Sequence, residues 1–214
     1  MLVRERMSKE PVTITADVSV TEALRLMREK KVRRLPVLDS HGKLVGIVSD
    51  KDLLFASPSP VSSLSVWEMN YLLAKLTVEA VMTRQVITVS EETPLEEAAR
   101  IMADNKIGGL PVMRDGKLVG IVTETDLFKI FLELLGARQP GVRVTALIPS
   151  AKGTLAKITS AIFGAGGNIM AFSQSMDASG TRWEVTFKVQ DVSRAKLIEV
   201  IQPVVENILD VREF

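Results

Sequence analysis

The chain states one phrase twice. Leu35-Pro36-Val37 leads through a short polar turn to Gly42-Lys43-Leu44-Val45-Gly46-Ile47-Val48-Ser49-Asp50-Lys51-Asp52-Leu53. Leu110-Pro111-Val112 leads to Gly116-Lys117-Leu118-Val119-Gly120-Ile121-Val122-Thr123-Glu124-Thr125-Asp126-Leu127. A long internal repeat is a severe constraint: one structural unit is built twice and packs against itself. Any polar residue kept in both copies then sits in two equivalent places. The kept polar residues are a hydroxyl and a carboxylate three positions apart, Ser49 with Asp52 and Thr123 with Asp126.

The repeat extends upstream, where Met7–Thr15 matches Met82–Ser90. Both stretches hold a β-rich run, Val12-Thr13-Ile14-Thr15 and Val86-Ile87-Thr88-Val89. Ser19-Val20-Thr21-Glu22 reads as a capping box, and Thr93-Pro94-Leu95-Glu96 as another with proline at the first helical position. Val20, Ala23, Leu24 and Met27 then share one helical face, as do Leu95, Ala98, Ala99 and Met102. Leu35–Leu38 and Leu44–Val48 read as short buried strands around a turn at Ser40-His41-Gly42. Closing helices begin at Asp50 and Glu124. Each copy is therefore β-α-β-β-α, with its hydroxyl and carboxylate where the last strand meets the last helix.

Unpaired N–H groups at a helix start attract anions. A hydroxyl there caps the helix, donates to a phosphate, or does both. A carboxylate one turn on repels phosphate but accepts two hydrogen bonds from a ribose diol. Two readings stand side by side: a pair of helix caps, or a pair of nucleotide sites.

On Leu-Pro-Val, Gly-Ile-Val-(Ser/Thr)-x-x-Asp and the opening Val-x-Thr strand, residues 1–135 resemble a tandem pair of CBS domains, or Bateman module. The first repeat would span 1–60; the connecting helix and second repeat would span 61–135. The resemblance implies an adenosyl ligand, its ribose held by Asp52 in one cleft and Asp126 in the other. Ser49 and Thr123 would approach phosphate or ribose. Thr13 and Thr88 would line the adenine side, although β-propensity also accounts for them. The copies differ where Arg33-Arg34 becomes Gly108-Gly109. Paired guanidiniums suit phosphate and paired glycines supply no donors, so the clefts should differ in phosphate preference. A solvated basic turn beside Lys30-Lys31 is the plainer account.

After the breaker-rich linker Gly136-Ala137-Arg138-Gln139-Pro140-Gly141 the pattern changes. Residues 142–214 read as strand, helix, two strands, helix and strand, the ferredoxin-like βαββαβ order. Arg182–Val189 alternates strictly, which predicts one buried and one wet face. This part resembles an ACT domain, a regulatory module that often binds amino acids. Lys152-Gly153-Thr154-Leu155 lacks the family's usual proline, while Gly167-Asn168-Ile169 fits it. Gly153 and Asn168 are therefore candidate amino-acid contacts, and ordinary turn chemistry explains them equally. The order CBS-CBS-ACT is similar to the acetoin-utilisation protein B family.

Composition narrows the function. Cys is absent and His41 is the sole histidine, in a predicted turn, which leaves no disulfides, thiolate chemistry or histidine-based metal site. A net charge of +1 and no DNA-binding motif argue against nucleic acid. No run is apolar enough for a membrane span, and the opening residues lack a signal-peptide core. Ser57–Ser63 reads as a surface loop. Val66, Met69, Leu73 and Leu76 share a helical face with Trp67 and Tyr71 off it, for partner contact or for packing on the repeat. The expectation is a cytoplasmic, non-enzymatic α+β protein without tightly bound cofactor or metal. It pairs two CBS units about a pseudo-twofold axis, adds an ACT-like domain, and forms a homodimer. Its clefts would bind AMP, ADP, ATP or S-adenosylmethionine as a regulatory ligand. The alternative is a structural subunit with vestigial clefts.

Overall fold

The computed structural model describes residues 1–56, 75–177 and 180–214, in two units, Met1–Leu127 and Phe128–Phe214. The expected loop Ser57–Ser63 and the helix bearing Val66, Trp67, Met69, Tyr71 and Leu73 lie outside the described residues.

In the first unit, β2 (Ile14–Thr15), β3 (Arg34–Leu38) and β4 (Leu44–Ser49) form one sheet. A second sheet has the order β1-β7-β6-β5, from β1 (Ser8–Lys9), β5 (Val89–Ser90), β6 (Gly109–Arg114) and β7 (Lys117–Thr123). Within each repeat the opening strand runs parallel to the next, reached through a helix, and the last two strands form an antiparallel hairpin. The predicted helical faces are the buried ones: Val20, Ala23 and Met27 on Val20–Lys30, and Leu95, Ala98 and Met102 on Leu95–Asn105.

Two local expectations need correction. The opening strands are shorter than Val12–Thr15 and Val86–Val89, because only Ile14–Thr15 and Val89–Ser90 find a partner strand. Thr93 does not cap its helix. Pro94 is the N-cap itself and has no side-chain acceptor, while the Thr93 carbonyl accepts from Val3 N–H at 2.9 Å. Ser19 does cap, accepting from Glu22 N–H at 3.3 Å, but the Glu22 carboxylate is turned to Arg25.

The repeats are joined by exchange. Ser8-Lys9 of the first copy pairs with β7 of the second. Thr83 returns the bond, exchanging N–H and carbonyl with Ile47 at 2.9 and 3.0 Å. A glycine marks each crossing. A Cβ on Gly46 would come within 2.5 Å of Met82 Sδ, and one on Gly120 within 2.5 Å of Met7 Sδ.

Glu91 ties the second repeat together through Arg114 and is nearly buried. The guanidinium holds its carboxyl below the ordinary 4.5. A depressed folded-state value means that the pair's contribution is complete above the unfolded value and is lost as pH falls through the folded one. Glu91→Gln is expected to lower the melting temperature at neutral pH and to flatten its fall below about pH 4.5. Melting curves from pH 7 to 3 test this, and parallel wild-type and variant profiles would count against it.

The second unit is β8 (Val142–Ile148), helix Thr154–Gly164, β9 (Asn168–Met176), β10 (Trp183–Gln190), helix Arg194–Ile201 and β11 (Asn207–Glu213). Its sheet order is β11-β8-β10-β9, all antiparallel, which is the βαββαβ arrangement read from the sequence. Val142, Val144, Ala146 and Ile148 meet Ile158, Ile162, Leu197 and Ile201 in one core. The wet face predicted for β10 is not wet throughout: Lys188 is only 4% exposed. The linker lies over it, with Lys188 Nζ donating to the Gly136 carbonyl at 3.1 Å.

Candidate functional site

Each hydroxyl–carboxylate pair sits where the sequence puts it. Ser49 is the N-cap of Asp50–Phe55, and its hydroxyl donates to Asp52 Oδ2 at 2.7 Å. Ser49 N–H donates to the same oxygen at 2.8 Å, and Asp52 N–H donates back to Ser49 Oγ at 3.3 Å. Thr123 repeats the pattern on Asp126 Oδ2, at 2.7 Å from its hydroxyl and 3.0 Å from its N–H. The capping box is closed in the first copy, and the second repeats its two bonds to the carboxylate. The bonds also fix each carboxylate at the mouth of its strand–helix junction.

Both junctions open into cavities built across the repeats. One, of about 280 Å³, joins Thr123 and Asp126 of the second copy to Val12, Lys31, Arg33 and Arg34 of the first. The other, of about 490 Å³, joins Ser49 and Asp52 of the first copy to Ile87, Lys106, Gly108 and Gly109 of the second. The exchanged segments at Ser8 and Thr83 are what bring the two halves together. Thr13 and Thr88 do not line these cavities; their neighbours Val12 and Ile87 do, giving each cleft an apolar side.

The arginines behave differently from one another. Arg33 lies in the Thr123–Asp126 cleft, where its guanidinium donates to Thr125 Oγ1 at 3.0 Å. Arg34 lines both clefts. A Cβ on Gly108 would overlap the Arg34 guanidinium and the Glu124 carboxylate, and one on Gly109 would press on Arg34 Cδ at 3.1 Å. The paired glycines are therefore the bed on which the first repeat's arginine crosses to the second, so the Ser49–Asp52 cleft is not left without a guanidinium. The clefts still differ in charge. Lys9, Lys31, Arg33 and Arg34 face Glu10 and Asp126 in one; Arg34, Lys51 and Lys106 face Asp52 and Glu124 in the other.

Sequence reasoning passed over Lys31 and Lys106. Both occupy the left-handed position that ends a helix, at φ 54°, and each lines one cleft. Their signal was available, since lysine stands at the same place in both copies.

Gly153 caps Thr154–Gly164 with φ 83°, a conformation that favours glycine. Asn168 is exposed at the start of β9, its amide 3.4 Å from Met170 Sδ. His41 is exposed in its turn. Among the described residues no group of three or more His, Cys, Asp or Glu is placed to hold a metal, and no helix is long and apolar enough to cross a membrane.

A double β-α-β-β-α unit with paired clefts across its repeats defines a CBS pair. The CBS domain profile matches residues 3–59 and 78–133, and the chain belongs to that family. It is 35% identical over 136 residues to a CBS domain-containing protein of Dictyostelium discoideum, covering 63% of this chain and 94% of that one. Two solved structures are informative. One is the CBS domain pair of protein MJ0100 in complex with 5'-methylthioadenosine and S-adenosyl-L-methionine: 34% identical, TM-score 0.53, covering 65% of this chain and 98% of that one. The other is CBSX2 in complex with AMP: 37% identical, TM-score 0.52, covering 62% and 97%. An acetoin utilization protein from Vibrio cholerae matches at 32% identity and TM-score 0.53, covering 65% and 96%. Enzymes among the relatives, such as inosine-5'-monophosphate dehydrogenase of Korarchaeum cryptofilum, are matched over only 22% of their length. The part shared with that enzyme is the CBS pair.

Proposed function

We propose that this protein senses an adenosyl compound, AMP, ADP, ATP or S-adenosylmethionine, in the clefts between its CBS repeats. The observation that carries the reading is the cross-repeat construction. A ligand holding Asp52 at one end and the Gly108-Gly109 turn at the other touches both repeats at once. It stabilises whichever relative arrangement it fits best, and a regulatory signal is that difference in affinity. Asp52 and Asp126 anchor ribose hydroxyls, the basic groups meet phosphate, and the apolar walls at Val12 and Ile87 take the base. The test is a thermal-shift panel of these four ligands with NAD and amino acids. A ligand that binds the native state raises the melting temperature. A silent panel at millimolar concentrations supports the second reading, a structural subunit with vestigial clefts. One observation favours that alternative: both hydroxyls already donate to the carboxylate of their own repeat.

Residues 142–214 resemble an ACT domain in strand order and in Gly167-Asn168-Ile169, and in this reading they pair two chains of a cytoplasmic homodimer. Gly153 and Asn168 are the candidate contacts for an amino-acid effector. Arg182–Val189 and its neighbours are the expected contact with a second chain, and within that sheet β10 is flanked by β8 and β9. The available edges are β9, with Phe172 and Met176 exposed, and β11. Light scattering at micromolar concentration is expected to give twice the 23.5 kDa chain mass, with closed twofold symmetry. A mass of 23.5 kDa would reject the pairing.

A further inference from the structure

Lys188 presents a buried charge without a carboxylate. It is 4% exposed, its Nζ donates to the Gly136 carbonyl at 3.1 Å, and it stands 4.7 Å from the centre of the Phe214 ring. A buried ammonium is costly unless it is paired and fully hydrogen-bonded, and one carbonyl and one ring face leave donors over. The charge faces a cavity of about 90 Å³ that is also lined by Arg143, Ser173, Thr186 and, on its apolar side, Leu135 and Ala171. Among the described residues no carboxylate lines this cavity. Asp210, on β11, is held by Arg143 at 3.0 Å and Arg212 at 3.1 Å. Gly136, at φ +59°, lies beside the cavity: a Cβ there would meet Ala171 Cβ at 3.4 Å and Lys188 Cδ at 3.6 Å.

We propose that this cavity is a binding site for a short-chain monocarboxylate, its carboxylate on Lys188 and Arg143 and its alkyl end on Leu135 and Ala171. The volume is roughly three times a water molecule's share of the liquid, which admits about two to four carbons and excludes a nucleotide. Charge-assisted bonds from two cations supply the affinity. An amino acid is disfavoured, because its ammonium would lie beside the Lys188 ammonium, while Arg143 already holds its one carboxylate, Asp210. The site is separate from the CBS clefts and from Gly153 and Asn168, and stands whether or not those bind ligands.

The experiment is a thermal-shift titration of the full chain with sodium acetate, propionate and butyrate against equal ionic strengths of chloride and phosphate, with glycine as the amine-bearing control. Wild type is expected to gain about 3–6 °C when free propionate reaches about ten times its Kd, and to go on rising with the logarithm of concentration. Lys188→Met removes the cation. Ala171→Val keeps it and fills the space, so a folding defect in one variant does not remove the test. Both should lose the propionate response. Equal responses to propionate, chloride and phosphate, a response to phosphate alone, a response to glycine matching propionate, or a propionate response surviving in Ala171→Val would each overturn the assignment.

Discussion

Asp52→Asn and Asp126→Asn are each expected to weaken adenosyl binding about 10- to 100-fold at one cleft, and the double variant at both. The carboxylate that caps the helix is also the group assigned to the ribose, so the substitution must separate the two jobs. An amide oxygen still accepts the Ser49 N–H bond that Asp52 Oδ2 takes at 2.8 Å, and the Thr123 bond that Asp126 Oδ2 takes at 3.0 Å. What asparagine removes is the charge that strengthens bonds from the diol, on the order of 1.5–3 kcal/mol for hydrogen bonds to charged groups. Asp52→Ala and Asp126→Ala remove the cap as well and should add a fall in melting temperature. Calorimetry decides. If the alanine variants melt lower while every variant binds as wild type, the carboxylates are caps and the ribose assignment fails.

The second large effect falls on the arginines, and the structure divides them. Arg34→Ala should weaken phosphate-bearing ligands at both clefts by about tenfold or more, since Arg34 lines both. Arg33→Ala should act on the Thr123–Asp126 cleft alone. The salt dependence of binding should flatten with each loss, because exposed charge–charge attraction is screened. A ligand without phosphate, S-adenosylmethionine, should lose little. Two-site titrations of AMP and S-adenosylmethionine at low and high salt test the division. Identical salt slopes in wild type and both variants would make these arginines a solvated turn.

The repeat made the fold of the first unit legible. Two copies of one phrase gave element order and helical faces, and strict alternation with glycine punctuation did the same for residues 142–214. Three features escaped because they are properties of the assembled chain. Thr93-Pro94-Leu95-Glu96 looks like a capping box, but local spacing does not say that the Thr93 carbonyl is taken by Val3. Lys188 occupies a wet-face position by alternation, and only the overlying linker buries it. Gly108 and Gly109 read as a lack of donors, when their missing side chains make room for Arg34 from the other repeat. In the candidate site, Ser49, Asp52, Thr123 and Asp126 stood out because both copies keep them. Lys31 and Lys106 met the same criterion and were passed over beside the louder Arg33-Arg34.

The exchange at Gly46 with Met82 and Gly120 with Met7 sets the terms on which this asymmetry can exist. Two separate identical polypeptides, each a single repeat, could make the same reciprocal contacts. They would be bound to carry arginine at both equivalent positions or glycine at both. Two guanidiniums would then contend for the ground that Arg34 holds alone, or neither would be there. Covalent succession lifts that restriction, because position 34 and position 109 are encoded separately and can drift apart without disturbing the interlock. The tandem arrangement therefore does more than secure the partner: it lets one half specialise as the giver of a side chain and the other as its receiver.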